Sequence, residues 1–207
     1  TYVKANVAGI RIGKSDALLM DDLFFGSLSA GLVFVIGSAS GVSGAYGRIQ
    51  GLQGDGCTQT ILSYGTHAIG ITITNWMGNS VTVDLDINSG GTAVSVFSLA
   101  GVRSWGTPNQ HLRVAFAGSK LRVTNAEFYD ATNTGILISA ASGDISLTDC
   151  YFRMTGLVAP LTTTAACNQL FLSNNMFDRA PVLNTPAGTV LRYRGNAFLT
   201  DLTTGAP

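Results

Sequence analysis

The sequence predicts an all-β fold, a single-stranded right-handed parallel β-helix of about seven to eight coils. Three observations carry that expectation: a recurring eight-residue pattern, a composition poor in helix formers, and the lack of hairpin loops.

The pattern reads apolar, any, apolar, any, Asn or Asp, any, any, Phe. Leu18–Phe25, Leu121–Phe128, Ile145–Phe152 and Leu170–Phe177 match it in full. Ile71–Gly78 carries Asn75 but ends in glycine, and Leu191–Phe198 has Gly195 at the Asn position. A weaker copy starts at Val94, with Ser98 and Gly101 in the marked places. The starts at 18, 71, 94, 121, 145, 170 and 191 are separated by 53, 23, 27, 24, 25 and 21 residues. The first interval is two periods, so a coil near residues 45–52 fills it. Five of the ten phenylalanines (Phe25, Phe128, Phe152, Phe177 and Phe198) sit at the last motif position, a concentration that chance would not produce.

Each part of the pattern has a physical reason. Alternating apolar residues turn one strand face inward, and the next coil pairs with it about 4.8 Å away. Asn or Asp ends the strand because its short side chain tolerates a left-handed backbone. Stacked over the coils, Asp22, Asn75, Asn125, Asp149 and Asn174 are expected to form a ladder of side-chain hydrogen bonds. The phenylalanine three residues on turns back into the lumen and stacks on its equivalents. A second apolar segment follows each motif, as at Leu32–Ile36, Val81–Ile87, Leu112–Phe116 and Ile136–Ile138, and supplies a second parallel sheet. A β-sandwich would need hairpins, yet no Asn-Gly or Asp-Gly loop joins adjacent alternating runs; Asp55-Gly56 lies in a glycine-rich stretch.

Apolar residues make up 46% of the chain and charged ones 12%, about half the usual share. Eleven of the twelve acids are Asp, and Glu127 is the single Glu. This scarcity of Glu and Lys disfavours helices. Twelve acids balance twelve bases, so no bulk field draws in nucleic acid or an anionic membrane, and neither partner is expected. Cys57, Cys150 and Cys167 are far apart and in no metal or disulfide pattern, so buried free thiols are expected, with no metal and no cofactor. The longest apolar run, Gly31–Ile36, is too short to cross a bilayer, and no signal peptide is visible. One domain over residues 1–207 is expected, with a short tail at 199–207, or a piece of a longer chain.

The apolar-x-apolar-x-(Asn/Asp)-x-x-Phe coil and its glycine-rich turns resemble the pectate-lyase-like superfamily of right-handed β-helices, from about Ile10 to Phe198. The low charge and the coil length look most like bacteriophage tailspikes and related capsule-binding spikes. That resemblance implies a virion or extracellular structural spike, recognising cell-surface polysaccharide as a homotrimer and joined to other virion proteins. The paired-Asp and Gly-His-Gly signatures of polygalacturonase-like enzymes are absent, as are the clustered acids of calcium-dependent pectate lyases. Two alternatives stand beside the spike: a polysaccharide-degrading hydrolase or lyase of the same fold, and a non-catalytic adhesin or assembly component.

For the enzyme alternative the candidate acids are Asp84 and Asp86 in Val81–Ile87. If Val83, Leu85 and Ile87 face the core, strict alternation sends both carboxylates to solvent, about 6.6 Å apart at Cα. That spacing overlaps the range used to invert a glycosidic bond. By the same alternation His111 and Arg113 face outward one coil later, Arg113 to hold an acidic sugar and His111 or an Asp as acid/base. The competing expectation is a solvated strand face with cross-strand ion pairs. Tyr64, His67, Trp76 and Trp105 are candidate sugar-stacking faces, of which Trp105, Tyr64 and His67 are the preferred ligand-binding set. Glu127 and Asp130 bracket a turn, where ordinary turn chemistry is expected.

Overall fold

In the computed structural model, residues 4–13, 15–34, 44–63, 67–88, 94–106, 108–154, 157–183 and 189–198 are described. They form a parallel β-solenoid of about seven turns, and no helix occurs among them. One sheet holds eight strands, one per coil, in sequence order from Lys4–Ile12 to Val182–Leu183. The second holds twelve, and every pairing in both sheets is parallel between successive coils. The expected second segments are there: Leu28–Phe34, Val83–Ile87, Gln110–Val114 and Thr134–Ile138 all belong to the eight-stranded sheet, while Val35 and Ile36 of the first expected segment lie outside the described residues.

The twelve-stranded sheet bends once in every coil at the Asn/Asp position. Asp22, Asn75, Asn125, Asp149 and Asn174 all adopt φ between 50° and 54°, the left-handed conformation that short polar side chains tolerate. Glycine takes the same conformation where the motif lacks Asx: Gly51, Gly101 and Gly195 have φ of 67°, 64° and 63°. The early strands, such as His67–Asn79, run through this bend. Later coils break there into two, as in Lys120–Thr124 followed by Glu127–Tyr129.

The pairing register corrects two expectations. Gly47 pairs with Leu18 and Ile71, and Phe97 pairs with Ile71 and Leu121. The motif starts are therefore 18, 47, 71, 97, 121, 145, 170 and 191, so the weak copy begins at Phe97 rather than Val94. Composition hid this, because the coil is marked by the buried Phe97, Leu99 and Val102 and by Gly101 at the bend, with neither Asx nor a final Phe. The expected side-chain ladder also lies elsewhere. At the bend the backbone amides of Asn125, Asp149 and Asn174 donate to the next coil's carbonyls. The amide ladder is one residue later and inside the lumen. Asn175 Nδ2 donates to Asn196 Oδ1 (2.9 Å) and to the Leu147 carbonyl (2.9 Å), while its Oδ1 accepts from the Cys150 amide (3.0 Å).

The core is a column of Ile, Leu, Val and Phe with essentially no exposed surface. Phe128, Phe152, Phe177 and Phe198 stack with centroids 5.1, 5.0 and 5.9 Å apart and planes within 24°. Phe25 shares their row but not their stack. Between it and Phe128 the same row holds Gly54, Gly78 and Ser104. All three cysteines are buried free thiols, as expected, and burial pushes the Cys150 thiol up to about 12.

Candidate functional site

The three small residues in the phenylalanine row leave lumen space that the opposite wall fills. The eight-stranded sheet sends in Thr60, Asp84 and His111 from successive coils. A Cβ on Gly54 would collide with Thr60, and one on Gly78 would lie 2.6 Å from the Asp84 carboxyl carbon. The ladder pairs Val83 with Gln110 and Leu85 with Leu112, passing over Asp84 and His111. Just before Asp84, the amides of Thr82 and Val83 both donate to the Thr58 carbonyl of the coil before. At this irregular entry to the strand two consecutive residues, Asp84 and Leu85, both point inward.

The expectation that Asp84 and His111 face solvent is thereby corrected: Asp84 is 1% exposed and His111 0%. Strict alternation fails because the strand does not begin flat. The two residues do meet, at 3.4 Å, with Ser104 between them. Ser104 donates a short hydrogen bond to Asp84 Oδ2, so its single proton is used. It therefore accepts from His111 Nδ1, at 2.5 Å, which places a proton on that ring nitrogen. Asp84 Oδ1 accepts the Ser80 amide at 3.0 Å, and the Ser80 hydroxyl bonds Thr60 at 2.7 Å. His111 Nε2 is buried with no partner, and the ring leans on Phe128 at 5.5 Å.

Serine, histidine and aspartate are the residue types of a nucleophilic triad, but the order here is wrong for one. The serine proton goes to the carboxylate, where a nucleophile would give it to the imidazole. Ser104 has no exposed surface for a substrate to approach. This is a hydrogen-bonded polar plug in the lumen.

Asp86 and Arg113 lie on the outer side of the same sheet and form a bidentate pair, Nε to Oδ1 at 2.7 Å and Nη2 to Oδ2 at 2.5 Å. Gln59 and Asn88 also donate to Asp86 Oδ2. Asp86 is fully covered by these partners, correcting its expected exposure, and the Asp86 hydrogen bond raises the Arg113 pKa. The four expected catalytic residues thus split into two pairs, and only Arg113 retains exposed side chain. Of the aromatic candidates, Trp76 is wholly buried, Trp105 is half-buried beyond Ser104, and Tyr64 lies outside the described residues. His67 lends its backbone to the strand His67–Asn79, and its side chain is outside what is described. No group of three or more metal-ligating side chains occurs among the described residues. No described helix is long and apolar enough to cross a membrane.

A solvent-facing cleft lies elsewhere, along the outside of the Asn/Asp bend. Its widest part, about 390 Å³, is lined by Asn75, Met77, Gly101, Arg103, Asn125 and Glu127. It meets a second hollow of about 260 Å³ that contains Phe24, Gln53 and Met77. Phe24, Gln53, Met77, Arg103 and Glu127 are register equivalents in five successive coils, so the row spans about 19 Å along the axis at about 4.8 Å per coil. Phe24 is 62% and Met77 40% exposed. Arg103 Nε donates to Glu127 Oε2 at 2.8 Å, and the Tyr129 hydroxyl donates to the same oxygen at 3.0 Å. The Arg103 hydrogen bond holds the Glu127 carboxyl below its usual range against the opposing effect of burial. The sequence marked Glu127 only as a turn residue and missed the row, because its members share no residue type. Their common offset of two residues beyond the left-handed position would have found them.

No protein-family description, no curated protein and no solved structure matches this chain.

Proposed function

We propose that the chain is a non-catalytic recognition solenoid, an extracellular or virion spike that binds cell-surface polysaccharide along its outer bend and works as a homotrimer. The observation that carries the reading is the cleft: a straight row one coil apart, mixing exposed apolar faces with fixed polar groups. A periodic row suits an extended polymer better than a small compact ligand. The low charge of the chain and exposed apolar side chains such as Leu19 and Leu157 support packing against sister subunits. The likeness of the repeat to tailspike coils points the same way. Burial of Asp84, Asp86 and His111 takes away the geometric support for the hydrolase alternative.

Light scattering coupled to size exclusion tests the assembly, and a glycan array tests the recognition. A stable trimer that retains an oligosaccharide is expected. A monodisperse monomer would remove the trimeric spike, and release of reducing ends or unsaturated sugars from a bound glycan would restore the enzyme.

A further inference from the structure

We infer that the notch at Gly101 is a subsite for an uncharged pyranose, an inference that rests on the glycan-binding reading above. At the bend, Gly101 occupies the position held by Asn75 in the coil before and Asn125 in the coil after. With no side chain there, the wall is open between two exposed amides, and an added Cβ would come within 3.2 Å of Asn75 Oδ1. This recess forms the wide part of the cleft.

Its lining fits one ligand chemistry. Arg103 and Glu127 lie side by side, Nε to Oε2 at 2.8 Å and Nη2 to Oε1 at 3.4 Å. Arg103 is 60% exposed at its side chain and retains N–H groups facing solvent, while Glu127 retains lone pairs. A donor fork beside an acceptor pair matches the alternating donors and acceptors of adjacent sugar hydroxyls. The amides of Asn75 and Asn125 add one donor group and one acceptor each. Met77, 40% exposed, supplies the apolar face on which ring C–H groups pack. The formal charge of the lining is zero, one cation against one anion. A carboxylated sugar would have to displace Glu127 from Arg103 to gain a cation, and a cationic ligand would have to displace Arg103 from Glu127. Uncharged hydroxyls displace neither.

The test uses the full chain, a panel of neutral oligosaccharides (glucans, galactans, N-acetylglucosamine oligomers) and acidic ones (polygalacturonate, hyaluronate), followed by titration calorimetry on the binders. The variants are Met77→Ala, Arg103→Ala and Glu127→Ala, with Lys120→Ala as control and circular dichroism to show that each is folded. Binding of a neutral oligosaccharide, weakened at least about tenfold by each cleft variant and unchanged by Lys120→Ala, is the expected result. Binding of acidic oligosaccharides alone would overturn the inference while leaving glycan recognition standing. Neutral binding indifferent to all three variants would place the site elsewhere and also overturn it. Failure of every oligosaccharide to bind would remove both this inference and the reading beneath it.

Discussion

Replacing Asp84 by alanine should cost this protein about 2–5 kcal/mol, the range for a change that orphans a buried polar group and leaves a cavity behind it. The structure indicates where that loss arises. Asp84 accepts from Ser104 Oγ and the Ser80 amide, and all three groups are buried. Without the carboxylate, Ser104 can donate to His111 Nδ1 only if the ring moves its proton to Nε2, and the Ser80 amide is orphaned at about 1–3 kcal/mol. The opposite wall cannot fill the cavity, because Gly78 faces it with no side chain. Asp86→Ala is the informative comparison. Its main partner Arg113 is 31% exposed, so water can replace the lost carboxylate, and a smaller loss is expected. Urea unfolding followed by circular dichroism measures both. A loss at Asp84 equal to or smaller than that at Asp86 would refute the lumenal plug. A double-mutant cycle with Ser104→Ala adds a second check: the two losses must be strongly non-additive if the residues act as one network.

The phenylalanine stack makes a graded prediction. Phe152→Ala, flanked by rings at 5.1 and 5.0 Å, should lose about 3–5 kcal/mol, while Phe198→Ala at the half-buried end should lose clearly less by the same urea assay. Cys150 should resist a thiol reagent at pH 8 until the protein unfolds, since burial pushes its thiol to about 12. The sign follows from linkage: the folded pKa is raised, so the contribution is intact below about 9 and is lost as pH climbs toward 12, seen as a falling melting temperature in that window. For Glu127 the shift is downward, so its pair with Arg103 persists above the ordinary carboxylate range and is lost only as pH falls through the lowered value. A carbon-detected NMR titration should find Glu127 titrating low, and Arg103→Ala should return it upward.

The periodicity of the sequence determined the solenoid, because each coil repeats the same local demands. Alternating apolar residues require a buried strand face, and an Asx or Gly requires a left-handed bend; both are settled within eight residues. The spacing of Phe128, Phe152, Phe177 and Phe198 along the chain is therefore enough to place them in one column. The site could not be read in the same way. Asp84 and His111 follow the alternation of an exposed face, yet the strand enters its sheet irregularly and turns them into the lumen. The vacancy they fill was visible as Gly78 in a phenylalanine position, but which side chain crosses the lumen to fill it depends on two sheets facing each other. The outer cleft likewise exists only after stacking, since Met77, Arg103 and Glu127 lie about 25 residues apart and become neighbours through coil register. Local chemistry decides the shape of one coil, and contacts between coils and across the lumen decide which side chains a ligand can reach.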